Sequence, residues 1–262
     1  MSVEISIEGR GIATLALARP DKRNAMDRAT IDALRAAAAR LGQDPAVRAV
    51  ILTGQGAAFC AGGDLNWMRE QMDAAPEVRA EGARALADML GALDALPKPL
   101  IGRVNGDAFG GGVGLACVCD VAVASDEARF GLTETRLGLI PATIGPYVVP
   151  RLGPKARRVF MAPRLFGAAE AAELGIVARA VPAADLDASV EAEVAPYLTA
   201  APGAVASAKA LARYLSHAPG ADAVDRSVAE LAKRWETAEA RDGIAAFFDG
   251  RRPPWFQGGT GR

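Results

Sequence analysis

The chain has 262 residues, of which 51% are hydrophobic but only 5% aromatic, so its core is aliphatic, and 28 Gly permit close backbone packing. Thirty basic and 31 acidic residues leave a net charge of -1, which argues against a nucleic-acid partner, and a charged fraction of 23% argues against disorder. The single His, His217, excludes a His-cluster metal centre, and three Cys (Cys60, Cys117, Cys119) suit a reducing compartment better than a disulfide framework.

Glu4 and Glu8 interrupt the N-terminus, so no apolar leader is read there. The longest nearly uncharged stretch, 108–119, falls short of the roughly 20 residues that a membrane span needs and is loaded with Gly. The expectation is a cytoplasmic protein with no membrane partner.

In chain order, the apolar run at 12–18 predicts a strand, and Ile31, Leu34, Ala38 and Leu41 recur at helical spacing. A second strand follows at 49–53 and a long Ala/Leu helix at 79–96, ended by Pro97-Lys98-Pro99. Residues 100–104 and 120–124 read as further buried strands. Strand and helix in alternation predict an α/β fold with crossover connections. From residue 168 the chain turns helical, with helices at 168–174, 183–198, 203–217, 222–235 and 238–248 and a last strand at 176–181. Pro202 stands where a first helical position would be, and Val205, Ala208, Leu211, Ala212 and Leu215 share a face. The composition shift at 199–202 divides the chain into 1–198 and 199–262. The tail from Arg251 reads as irregular.

No Ser stands in a G-x-S-x-G elbow, no G-x-x-x-x-G-K-[ST] loop exists, and the run 110–114 stops short of G-x-G-x-x-G because position 117 is Cys. Two Gly-rich segments remain: Phe59-Cys60-Ala61-Gly62-Gly63-Asp64-Leu65, and Asn105 to Leu115 with its Gly110-Gly111-Gly112 triple. Each reads as leaving a strand and entering a helix, where unpaired N–H groups and the helix dipole would favour negative charge. Two such ends brought together would hold an oxyanion without a charged side chain. Taken singly, each reads first as a tight turn packing a helix on a sheet.

Together with Phe130-Gly131-Leu132-Thr133-Glu134-Thr135-Arg136-Leu137-Gly138-Leu139-Ile140-Pro141, the two segments resemble the enoyl-CoA hydratase/isomerase (crotonase) superfamily. Arg19-Pro20-Asp21-Lys22-Arg23-Asn24-Ala25-Met26 and Pro97-Lys98-Pro99 extend the resemblance over about residues 10–185. It implies an α/β fold, a crotonase-type ββα spiral core carrying the CoA-ester site, followed by a C-terminal helical region that assembles a homotrimer or a dimer of trimers. Trp235, Phe247, Phe248, Trp255 and Phe256 become interface candidates. Coenzyme A enters as part of the substrate, with no separate cofactor and no metal.

Residue by residue, the resemblance implies that the N–H groups of Gly63 and Gly111 hold the enolate oxygen of a thioester. Backbone donors of this kind contribute about 3 kcal/mol each in a dry site. Lys22, Arg23 and Ala25 belong to the stretch that grips the CoA nucleotide, and Ala61, Gly62, Asp64 and Leu65 line the pantetheine path. On charge alone, Lys22 and Arg23 are equally an exposed basic turn, and Asp64 reads as a helix cap. Trp67 and Met68 either touch pantetheine or pack a helix.

Two-carboxylate hydratases of this family carry one Glu after the Gly triple and one in the F-G-x-x-E segment. Glu134 supplies the second; Gly114 stands at the first, leaving it as a candidate substrate-lining position. By charge patterning alone, Glu134 is a first-turn acid on a helix capped by Thr133; the resemblance makes it the acid/base. The pattern around Glu134 is similar to single-Glu members acting on branched, methylglutaconyl-type thioesters. Pro141-Ala142-Thr143-Ile144 departs from the Pro-Gly-Gly-Gly run of straight-chain hydratases, and Arg136 is the nearby cation that a carboxylated acyl group would want. Three functions follow: an enoyl-CoA hydratase, an enoyl-CoA isomerase using Glu134 as single base, and a non-catalytic CoA-ester binding or interaction member. Asp120, Cys60, Cys117 and Cys119 read as structural.

Overall fold

The apolar runs at 12–18, 49–53, 100–104 and 120–124 all enter one large sheet. The computed structural model describes residues 1–217 and 223–257. Its strands are β1 (Val3–Ile7), β2 (Ile12–Leu17), β3 (Ala49–Gly54), β4 (Ala58–Cys60), β5 (Leu100–Val104), β6 (Asp107–Phe109), β7 (Val121–Ser125), β8 (Arg129–Gly131), β9 (Leu165–Gly167) and β10 (Arg179–Val181). Its helices are α1 (Arg28–Gln43), α2 (Leu65–Asp73), α3 (Pro76–Asp94), α4 (Gly111–Val118), α5 (Gly145–Leu152), α6 (Ala156–Phe160), α7 (Ala168–Leu174), α8 (Leu186–Val194), α9 (Pro202–His217), α10 (Ala223–Trp235) and α11 (Ala238–Phe248).

Among the described residues, one sheet runs β1-β2-β3-β5-β7-β10 and a smaller one runs β4-β6-β8-β9. The β1/β2 and β8/β9 pairs are antiparallel and the others parallel. The strand pairs β3–β4, β5–β6 and β7–β8 each place one strand in each sheet, which is a ββα spiral. This corrects the simple strand–helix alternation: a three-residue strand follows each of β3, β5 and β7 before the chain moves on.

The long strands are covered on both faces, which is why they read as continuous apolar runs rather than alternating ones. Leu15, Leu52, Leu100 and Ala122 face a core shared with Leu34 and Leu41 of α1 and Met89 and Leu93 of α3. Ile12, Ala49, Ile101 and Val123 face Leu186, Val190 and Val194 of α8. Each fully buried Leu or Ile contributes about 1.5–3 kcal/mol against exposure.

Other expectations shift at their edges. The strand expected at 176–181 shortens to β10, because Ile176 and Val177 fold back as buried plugs after α7. The helix expected at 183–198 is α8 flanked by 3₁₀ turns, Ala183–Asp185 and Ala195–Leu198; Pro196 lacks the N–H to continue it. Pro202 does open α9. Residue 222 lies outside the described residues, as do residues 258–262 and the side chain of His217. Arg48, buried on the core, donates to the carbonyls of Tyr197, Ala200 and Trp255 and so ties the C-terminal segment to the sheet. No described helix is long and apolar enough to cross a membrane.

Candidate active site

The site grows from the carboxyl ends of three adjacent strands of the small sheet. β4 pairs with β6 in parallel (Ala58↔Asp107, Cys60↔Ala108), and β6 pairs with β8 (Ala108↔Phe130, Phe109↔Gly131). Their downstream segments therefore leave the same edge in the same direction: Ala61-Gly62-Gly63 from β4, Gly110-Gly111 from β6, and Leu132-Thr133-Glu134 from β8. Residues 50 and 70 apart in sequence meet because parallel strands put their ends together, a usual place for ligands in α/β folds.

The first segment is laced to the turn before α1. Ala61 N donates to Arg23 O (3.0 Å), Met26 N to Gly62 O (2.7 Å) and Asp64 N to Met26 O (2.9 Å). Arg23 and Asn24 both take positive φ, and buried Asn24 donates to Gln55 O and Ala58 O to hold that turn. Asp64 does cap α2, accepting from Asn66 N (2.9 Å) and Trp67 N (3.4 Å), and its other oxygen takes Arg19 at 2.9 Å. Burial opposes ionisation of Asp64, but these donors outweigh it and hold its carboxyl below the ordinary value.

Gly110, at φ 49°, turns the chain from β6 into α4, and a Cβ there would lie 2.9 Å from Glu134 Oε1. A Cβ on Gly62, at φ 94°, would meet Phe109 O at 2.9 Å and approach Gly111 N to 3.9 Å. The two Gly-rich segments thus abut with no side chain between them. Among the described residues no protein carbonyl accepts from Gly63 N or Gly111 N. Gly111 is also the first residue of α4, so its N–H carries the positive end of the helix dipole.

Beside these groups opens a cavity of about 270 Å³, walled by Met26, Trp67, Met68, Phe109, Leu137, Ile140 and Ile144 with Gly62, Gly63, Gly110, Gly111 and Glu134. Ala61 and Leu65 also line it. Glu134 Oε2 is buried and has no hydrogen-bond partner. Burial in this apolar wall raises the carboxyl above its ordinary value. The expected helix capped by Thr133 is instead a 3₁₀ turn, Glu134–Leu137, in which Thr133 makes no side-chain cap bond. The arrangement combines unpaired donors with one buried, unpartnered carboxyl oxygen.

Gly114 lies one helical turn beyond Gly111, against Ile144. A Cβ at 114 would stand 2.7 Å from Ile144 Cγ2 and 3.6 Å from Leu90 Cδ1, and Ile144 is 1% exposed. The space next to Gly114 is filled by hydrocarbon, so the missing carboxylate and the departure at 141–144 are one feature seen from two sides.

Sequence reasoning missed Asp107 and Arg129 as builders of the site. Asp107 accepts from Arg129 N (3.1 Å), Arg129 Nε (3.1 Å) and Arg23 (2.5 Å), bolting the Lys22–Met26 turn to β6 and β8. Burial pushes its carboxyl up, but the hydrogen bonds from Arg129 prevail and leave it lowered. Asp107 was visible as the one acid between β5 and the Gly triple; its partner Arg129 was visible only through the strand register. Lys22 is exposed and Ala25 buried, while Arg23 is half-exposed. Cys60, Cys117 and Cys119 are buried, and burial pushes each thiol up to about 12, away from nucleophilic use. Asp120 accepts from Leu100 N and Lys209. A larger cavity of about 520 Å³ lies between α9 and α4, but Lys209 there is paired with Asp120, and the Gly-rich segments do not reach it.

Two unpaired backbone donors beside one buried carboxyl are an arrangement suited to holding negative charge. The chain belongs to the enoyl-CoA hydratase/isomerase family, whose pattern matches residues 8–258. It is similar to an enoyl-CoA hydratase structure from Shewanella pealeana (TM-score 0.93, 35% identity, 97% of this chain and 96% of that one). It is also similar to Pseudomonas aeruginosa AtuE (TM-score 0.93, 36% identity, 98% of this chain and 100% of that one). A hydroxycinnamoyl-CoA hydratase-lyase from Pseudomonas fluorescens is 39% identical over 193 residues, covering 71% of this chain and 68% of that protein.

Proposed function

We propose that the chain adds water reversibly across the double bond of an α,β-unsaturated acyl-CoA thioester. The observation that carries this reading is the buried, unpartnered Glu134 Oε2 beside a cavity that the unpaired N–H groups of Gly63 and Gly111 also line. The thioester oxygen sits between the two N–H groups. Glu134 takes a proton from water as the water oxygen bonds to Cβ; the double-bond electrons move onto the thioester oxygen as an enolate. The enolate then collapses and Cα takes the proton back from Glu134. A carboxyl raised by burial suits this exchange, because its ionised form is a stronger base toward water than an ordinary carboxylate, and the proton then returns to an enolate carbon that is more basic still.

Lys22 and Arg23, at the exposed turn, face the CoA phosphates, with Ala25, Ala61, Gly62, Asp64 and Leu65 along the pantetheine path; Asp64 acts there by holding the path open as a cap. Gly114 borders the acyl end through Ile144, and the 141–144 stretch supports a branched acyl group. Residues 199–262 form the region that assembles a homotrimer or a dimer of trimers.

The hydrocarbon next to Gly114 supports a second reading, in which Glu134 shuttles a proton between Cα and Cγ as an isomerase. One experiment separates the readings: incubate the protein with a panel of enoyl-CoA thioesters and weigh the products. A gain of one water is the expected result. An isobaric product with a moved double bond would replace hydration by isomerisation, and no turnover of any thioester would leave a binding role.

A further inference from the structure

Glu134 is the one ionisable side chain among the described residues that line the active-site cavity. The rest of the wall is hydrocarbon, aromatic ring, glycine backbone and the hydroxyls of Thr133 and Thr143. Among the described residues no cation lines the cavity with it. Arg136, the nearest basic residue in sequence, is exposed and does not line the cavity. Arg23 has its guanidinium on Asp107 and over the ring of Phe109, whose centroid is 5.8 Å away, and does not line the cavity. Beyond Glu134 the wall runs through buried Ile144 and Pro141 to Ile140 and Leu137 at the exposed rim, and none of the four donates a hydrogen bond from its side chain.

We infer that this cavity takes an uncharged acyl group and discriminates against one that carries its own carboxylate. A carboxylate on the acyl group would lose its water against buried Ile144 and Pro141, where the wall offers the hydroxyls of Thr133 and Thr143 but no cation to replace it. It would also stand in one small apolar space with the Glu134 carboxyl, where two like charges cannot both stay ionised without cost. Glu134 and the absent cation therefore act together as a repulsive element, and specificity comes from what the pocket refuses. The branched substrate is of the 3-methylcrotonyl kind rather than its carboxylated methylglutaconyl counterpart, and Arg136 does not serve as a carboxylate clamp.

The inference rests on the acyl-CoA reading of the site, and its test is built to fail separately from it. Isovaleryl-CoA and 3-methylglutaryl-CoA are saturated, cannot be hydrated and differ by one carboxylate. Titration calorimetry on the intact protein is expected to show the neutral thioester binding tighter by roughly 30-fold or more. Ile140→Arg, at the exposed rim, is expected to narrow that ratio by about tenfold through a new ion pair. Equal binding, or tighter binding of the carboxylated thioester, would overturn the inference, as would an unchanged ratio in a folded Ile140→Arg protein. If the ratio holds while neither 3-methylcrotonyl-CoA nor 3-methylglutaconyl-CoA gains water, the hydration reading falls and the selectivity stands.

Discussion

Glu134 carries two burdens that a titration separates. Its carboxyl is raised by burial, so ionising it costs the folded protein something that the unfolded chain, at the ordinary value of 4.5, does not bear. Between 4.5 and the raised value the folded state holds the extra proton, so this group makes stability fall as pH rises through that window. Glu134→Gln is therefore expected to melt no lower than the parent at neutral pH, and above it if the carboxyl is ionised there; a clear drop in Tm would contradict the buried, unpartnered carboxyl. As base, Glu134 must be ionised, so hydration is expected to fall as pH drops through an apparent value above 4.5, and a rate constant down to that value would contradict the assignment. Ile144 and Gly114 make a second residue-scale test. Gly114→Ala would push a methyl to 2.7 Å from Ile144 Cγ2 and is expected to cost about 1–3 kcal/mol in denaturant unfolding. Ile144→Ala beside it, which removes the Cγ2 that Val would keep, should recover part of that loss, and strict additivity would contradict the contact. Glu134 was legible in the F-G-x-x-E pattern, whereas Ile144 was not, because its meeting with a residue 30 positions earlier exists only once α4 and α5 pack.

At the scale of elements, the site depends on three short strands being held side by side. Asp107 is their bolt, since it reaches Arg129 in β8 and Arg23 in the turn that carries Gly62 and Gly63 through Met26. The carboxylate is mostly buried but both arginines are about half exposed, so the pairs are worth less than fully buried ones. Asp107→Asn is expected to lower stability by about 1–2 kcal/mol in denaturant unfolding and to weaken thioester binding with it. Loss of stability without any change in binding would show that the bolt does not position the turn. The long strands were legible because burial on both faces writes a continuous apolar run into them. β4, β6 and β8 were not, since three residues carry no periodicity and their Gly-rich continuations read as turns. β1 escaped for a different reason: it is an edge strand with alternating exposure, marked by Glu4 between Val3 and Ile5.

At the scale of the whole molecule, α10 turns an apolar stripe outward. Val224, Val228, Leu231 and Trp235 are 72%, 63%, 61% and 60% exposed, and Phe247 and Phe248 of α11 add to the surface. A stripe of that length is unusual on a monomer and fits the proposed homotrimer or dimer of trimers. Light scattering is expected to give three or six times the single-chain mass of 27.1 kDa, and Leu231→Glu to lower it; a monomer at micromolar concentration would contradict the assembly. The aromatic weight of the tail was legible in sequence, but which face of α10 lies open needed the fold. Turnover in the proposed reaction requires one carboxyl working beside two backbone donors. The direct measurement is the initial rate of water addition to a neutral enoyl-CoA by the parent and by Glu134→Gln, with thioester binding measured in parallel. The expected result is a fall in kcat of about 10²–10⁴-fold with binding retained. A variant that hydrates within tenfold of the parent would contradict it.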